Sequence, residues 1–208
     1  MKITSLQFVS AVCLLLSSCE NPADKTTAAT VRDAVEIETL ADNKGKTYRF
    51  TSNSKILFTG SKVTGSHSGG FKNFEGSFTL ANDQLLASGQ KITIDMNSLW
   101  SDDEKLTGHL KSEDFFNVAK HPQASFELTG IKPVSDGNYE VSGNLALNAV
   151  TKNISFPASA AITNETAIIQ AKFDINRKDF GIVYAGKTDD LIRDEVVIEL
   201  NMEAVPEN

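Results

Sequence analysis

Segment after segment of this chain alternates apolar and polar residues with a period of two. Phe74, Gly76, Phe78 and Leu80 interleave with Asn73, Glu75, Ser77 and Thr79; Ile92, Ile94 and Met96 interleave with Thr93, Asp95 and Asn97. The same alternation puts Phe126 and Leu128 on one face, then Tyr139, Val141, Gly143, Leu145 and Leu147. Further on it selects Ile169, Ala171, Phe173 and Ile175, and finally Val196, Ile198, Leu200 and Met202. Side chains of an extended strand point alternately to its two faces, so each segment is a strand with one dry and one wet face. Wet outer faces favour antiparallel pairing, because parallel strands are usually covered on both sides. Asn82-Asp83 and Asp136-Gly137-Asn138 supply turn chemistry between strands. With Tyr48–Phe58 and Ile154–Ile162 added, the count is eight or nine, enough for a sandwich or a closed barrel.

One region breaks the period. Leu106 to Ala119 holds Leu106, Leu110, Phe115 and Phe116 among polar residues and is stopped at His121-Pro122, which predicts a short helical segment near 106–119 against the barrel or over its mouth. Several inward positions are small: Gly76, Gly143, Ala158, Ala160 and Ala171. Small residues there either leave room for a ligand or make space for large neighbours. Pro157 is an obstacle to an unbroken ladder, since proline has no N–H to donate.

The N-terminus has the features of a leader. Lys2 precedes the apolar run Phe8–Leu16, which is too short to span a bilayer, and Leu16-Ser17-Ser18-Cys19 resembles a bacterial lipoprotein signal whose cysteine receives lipid. The expected organisation is a signal peptide over 1–18, a flexible tether over 19–46 and one domain over 47–208, with Cys19 as the lipidation site. Thr30 to Leu40, inside the tether, has the composition of a weak helix. After processing no second cysteine remains, so no disulfide forms within the chain.

Little in the sequence suggests catalysis. There is no G-x-S-x-G elbow, no P-loop and no HExxH, and the three histidines, His67, His109 and His121, lack metal-ligand spacing. The expectation is a non-enzyme with no cofactor and no metal, with His67 as a turn or strand residue. Asp102-Asp103-Glu104 reads as a solvated loop. Arg193 has two readings, pairing with a neighbouring acid or meeting a polar ligand head. The net charge of −7 argues against nucleic-acid binding.

Four stretches then become recognisable: VTGSHSGGFKNFEGSF (Val63–Phe78), HLKSEDFFNVAKHPQASFE (His109–Glu127), VSGNLALNAVTKNISFPA (Val141–Ala158) and FDINRKDFGIVYAGKTDDLIRDEVVIEL (Phe173–Leu200). In order and spacing they resemble the YceI-like family. The resemblance implies an all-β, closed, antiparallel, lipocalin-like barrel of about eight strands. It also implies an apolar ligand inside, a polyisoprenoid or an isoprenoid quinone, in a protein of the bacterial cell envelope. The family commonly has Asn-Gly where this chain has Asn148-Ala149, and alanine resists positive φ.

On that reading the ligand-binding wall is the inward set. Phe74, Phe78, Ile92 and Ile94 come from the first half of the domain; Phe126, Leu128, Val141 and Leu145 come from its middle; Phe156, Phe173 and Ile198 come from its end. Phe115, Phe116, Phe180 and Tyr184 are placed at the mouth. The expected partners are an isoprenoid-type lipid or quinone and, through the N-terminal lipid, a membrane. The competing reading is an interaction module whose core is filled and takes no lipid.

Overall fold

The computed structural model describes residues 20–37, 45–81, 84–86, 90–188 and 190–207. The leader, 1–18, and Cys19 lie outside the described residues. In chain order the first strands are β1 (Thr27–Ala28), β2 (Thr30–Asp33), β3 (Lys46–Phe50), β4 (Lys55–Lys62), β5 (Gly65–Phe71), β6 (Phe74–Ala81), β7 (Gln84–Leu85), β8 (Lys91–Asp95) and β9 (Leu99–Ser101). The helix α1 (Glu104–Lys111) follows, and then β10 (Gln123–Ser135), β11 (Asn138–Leu147), β12 (Val150–Ile162), β13 (Ala167–Asn176), β14 (Gly186–Lys187) and β15 (Asp190–Pro206).

Eight of these strands close a ring in the order β3-β6-β8-β10-β11-β12-β13-β15, and every pair in the ring is antiparallel. The long β15 closes it, meeting β13 along Ala167↔Ala204 to Asn176↔Glu195 and β3 at Ala204↔Phe50. Tyr48–Phe58, expected as one strand, is broken by a turn at Thr51–Ser54, where the Ser54 hydroxyl donates to the Glu203 carbonyl at 2.9 Å. The second half, β4, continues along the same edge of β15 and carries β5 and β9 outward.

One end of the barrel is plugged by Tyr48, Phe78, Leu80, Ala167 and Ala204. The Tyr48 and Phe78 rings stack at 5.3 Å, and the Tyr48 hydroxyl, buried with its ring, donates to the Thr163 carbonyl at 2.8 Å. At the other end Leu110 and Phe115, from α1 and the turns after it, pack with Leu99 and Ile182. The helix is shorter than expected. Asp103 caps it by accepting from the Leu106 N–H at 2.8 Å, Ser112 ends it, and Asn117 turns back with φ 45°.

The segment expected as a tether is structured where it is described. Residues 22–25 form a single 3-10 turn, β1 pairs in parallel with β13, and β2 pairs antiparallel with β12. Thr30–Asp33 is therefore extended and not helical. The exposed edges of β12 and β13 supply the backbone partners that a short polar helix would have had to find internally. Pro157 lies where β12 passes from β2, paired through Ser155, to β13, paired from Ala158. The proline thus marks the point at which the ladder changes partner.

Candidate ligand cavity

The ring encloses a cavity of about 340 Å³. Alternation sends one set of side chains inward, and the wall is built from them. Of the residues expected there, Phe78, Ile92, Ile94, Phe126, Leu128 and Val141 line the cavity, as do Leu145, Phe156, Phe173 and Ile198. Phe115 and Phe116, expected at the mouth, line it as well.

Three expected residues do not. Phe74 packs beside the cluster of Ile94, Met96 and Ala124 instead of facing the cavity. Phe180 is wholly buried behind the wall, packed with the cluster of Phe156 and Phe173, because the 3-10 turn Arg177–Phe180 folds it back onto β12 and β13. Tyr184 lies against Phe115 and His109, tilted to the first and edge-on to the second, with ring centroids 5.2 and 4.9 Å away.

The wall also contains residues not assigned to it from the sequence. Ile154, Ile175, Leu147, Val196, Leu200 and Met202 simply extend the alternations already seen, and Ile56 and Phe58 do the same along β4. Leu106, Leu110 and Ile182 come from the helix and from a loop, where no period-two signal exists.

The small inward residues divide. Ala158 and Ala171 face each other as Cα partners and both line the cavity. Gly143 is a different case: a Cβ there would lie 2.2 Å from the Phe126 ring, so the glycine is the space that ring occupies. At Gly76 a Cβ would lie 2.8 Å from the Lys91 carbonyl oxygen. Ala160 pairs with Ile169 and is not part of the wall.

Polar groups near the cavity are tied to the protein. Arg177, 4% exposed, donates to the carbonyls of Ile182 (2.7 Å) and Arg193 (3.1 Å) and to Asp194 Oδ1 (3.1 Å). Lys178 also reaches Asp194, at 2.8 Å, so this acid serves the two basic residues of the preceding turn. Arg193 contributes to the cavity lining. His67 sits in β5 opposite Gly60 and bonds Asp102 through Nδ1 at 2.8 Å. Asp102 also accepts from the Ser68 N–H at 2.9 Å. That donation, reinforced by His67 and opposed by slight burial, holds the Asp102 carboxyl below the usual carboxylate range. His109 is engaged with Asp114 at 3.0 Å. Among the described residues no group of three His, Cys, Asp or Glu side chains is placed to hold a metal.

The hairpin at Asn148-Ala149 takes the geometry of the Asn-Gly turn it replaces. With Leu147 paired to Val150, the loop has two residues, and both adopt positive φ, 48° and 63°.

Among curated proteins, the chain is 40% identical over 90 residues to a UPF0312 protein of Azotobacter vinelandii, covering 43% of this chain and 47% of that one. It is 33% identical over 139 residues to a UPF0312 protein of Pseudomonas putida, covering 63% of this chain and 71% of that one. The chain thus spans about half the length of the first relative. Among solved structures, Burkholderia cenocepacia BcnA superposes with a TM-score of 0.64 at 22% identity, over 74% of this chain and 97% of that one. A polyisoprenoid binding domain from Saccharophagus degradans implicated in plant cell wall breakdown superposes with a TM-score of 0.63 at 16% identity, over 79% and 100%. The YceI-like domain family matches residues 48–204, nearly the whole barrel and well over half of the chain, and the chain belongs to that family.

Proposed function

We propose that this protein binds a long apolar isoprenoid-type molecule, a polyisoprenoid or an isoprenoid quinone, inside its barrel. It acts as a carrier or store in the bacterial cell envelope and not as an enzyme. The observation that carries this reading is the cavity of about 340 Å³ walled by aromatic and aliphatic side chains from all around the ring. A void of that size is costly unless something apolar fills it, because wall atoms facing empty space forfeit their dispersion contacts. The cavity also disfavours the alternative of an interaction module with a filled core. The likeness to the Saccharophagus degradans polyisoprenoid binding domain supports the ligand class. The test is an organic-solvent extract of the purified protein read by mass spectrometry. A long-chain isoprenoid is expected, and repeated recovery of lipid-free protein that also takes up no added isoprenoid would overturn the reading.

The second part of the proposal is the anchor. Cleavage before Cys19 and lipidation of its thiol would hold the barrel at a membrane with almost no slack. Asn21, two residues on, already lies against the barrel, with Ser61 Oγ 3.5 Å from its side chain. One acyl chain anchors only marginally, whereas several on one cysteine hold firmly. Membrane fractionation of Cys19→Ser in a bacterial host tests this, with release to the soluble fraction expected. Full retention in the membrane would overturn it.

A further inference from the structure

The barrel wall has a slit in it. β12 and β13 pair directly only between Ala158↔Ala171 and Ile162↔Ala167. Beyond that point they part, and each takes a partner from the N-terminal segment. β13 meets β1 at Thr27↔Phe173 and Ala28↔Asp174, and β12 meets β2 from Ser155↔Thr30 to Lys152↔Asp33. The N-terminal segment thus crosses from one lip of the slit to the other. It lies outside the stretch matched by the family, residues 48–204.

Both lips are cavity wall. Ile154 and Phe156 on β12 and Phe173 and Ile175 on β13 line the cavity, and the Phe156 and Phe173 rings stack across the slit at 4.1 Å with 10° between their planes. Behind the inserted segment lies that ring pair, in one cluster with Phe180.

The insert is lightly held compared with the strands it joins. None of the described residues in 20–37 is buried, and only Ala29 and Val31 pack onto the inner cluster. Its other fastenings are hydrogen bonds and an ion pair at the surface. Thr26 donates to Asp174 at 2.6 Å, Asn144 exchanges two bonds with the Val35 backbone at 2.7 and 3.2 Å, and the exposed Asp33 meets Lys152 at 2.9 Å. Segments with little buried apolar surface open at free energies well below that of global unfolding.

The two ends of the barrel differ. One is filled by Tyr48, Phe78, Leu80, Ala167 and Ala204; at the other Leu99, Leu110, Phe115 and Ile182 pack together, and Lys62 and the half-exposed His67 also reach the cavity lining. Passing a chain through the Tyr48 end means unpacking a buried cluster. Passing it through the slit means releasing a segment with no buried side chain and turning aside the Phe156 and Phe173 rings behind it.

We infer that the slit between β12 and β13 is the portal of the cavity and that residues 27–33 are its removable bar, so that an apolar chain enters sideways when the segment detaches. The inference rests on the apolar-ligand reading. It follows that covalent closure of the slit slows exchange without changing the cavity. Thr30 and Ser155 are Cα partners on antiparallel strands, a geometry within reach of a disulfide. The test uses Thr30→Cys/Ser155→Cys together with Ala28→Cys/Asp174→Cys, which tie the segment to both lips, in a chain whose Cys13 and Cys19 are serine, with uptake of the fluorescent polyene cis-parinaric acid followed by stopped flow. The expected result is uptake at least tenfold slower in the oxidised protein, restored by dithiothreitol, with the same final fluorescence. Asp33→Cys/Lys152→Cys replaces the first staple, on the same pair of strands, if that one disturbs folding. Equal rates in a fully cross-linked and a reduced sample overturn the portal and leave the ligand reading standing. No uptake of the probe by any form, the unstapled chain included, together with no binding of an added polyisoprenoid, overturns both.

Discussion

Replacing Ala171 with phenylalanine adds a ring to the cavity wall at a place where the structure has room for it. Ala171 is 7% exposed, lines the cavity, and has the small Ala158 as its Cα partner on β12, with Leu200 its partner on β15. Were the barrel filled, the extra ring would overpack it at a cost of about 1–3 kcal/mol, or a drop of roughly 2–12 °C in melting temperature for a domain of this size. In a cavity of about 340 Å³ the ring is accommodated, and the melting temperature of Ala171→Phe is expected to hold or rise. Ligand binding changes in the other direction. Displacing one five-carbon unit at about 0.8 kcal/mol per methylene forfeits about 4 kcal/mol, close to a thousandfold in Kd. The assay is differential scanning fluorimetry and titration with an isoprenoid on the same preparation. A large fall in melting temperature with affinity unchanged would refute the reasoning, because the ring would then be straining a packed wall and displacing no ligand.

The contrasting position is Gly143, where the space is taken. Gly143→Ala places a Cβ 2.2 Å from the Phe126 ring and is expected to destabilise by about 1–3 kcal/mol, readable by urea denaturation. Ala149→Gly relieves a non-glycine residue at φ 63°. The left-handed penalty of about 1–2 kcal/mol, less the greater chain entropy of glycine, predicts a gain of about 0.5–1 kcal/mol in the same experiment. Asp102 supplies a pH dependence. Its carboxyl is lowered by the Ser68 N–H and by His67, so its contribution is present above the unfolded-state pKa of about 4 and is lost as pH falls through the lower folded value. Asp102→Asn should therefore be less stable at neutral pH and show a flatter decline on acidification, with a parallel decline refuting the assignment.

Much of the barrel could be read directly from the chain, since a period of two is a local property. Which face of each strand is apolar is written in residues such as Ile92, Ile94, Phe126 and Leu128, and closing a sheet turns that face inward. This is why ten residues chosen on seven different strands meet around one cavity, joined there by Phe115 and Phe116 from the turns after the helix. Phe180 and Tyr184 were misplaced because they sit in a turn and a loop, where no period fixes direction. Gly143 and Ala171 look alike in sequence, small residues at inward positions. Only the neighbouring strand decides between them: the Phe126 ring lies over Gly143 from a diagonal position on β10, whereas Ala171 meets the small Ala158 on β12, so the first is occupied and the second open.

The N-terminal segment marks the limit of local information most clearly. Thr27–Asp33 carries no alternation of its own, and composition alone reads it as a tether or a weak helix. It is a strand because β12 and β13 separate after Ala158 and leave backbone donors and acceptors along both lips, which must be paired or solvated. The sequence by itself determined the strands, their dry faces and the family. The closed ring, the empty volume inside it and the recruitment of residues 27–33 into its wall were decided by tertiary structure, because each depends on distances between segments far apart in the chain.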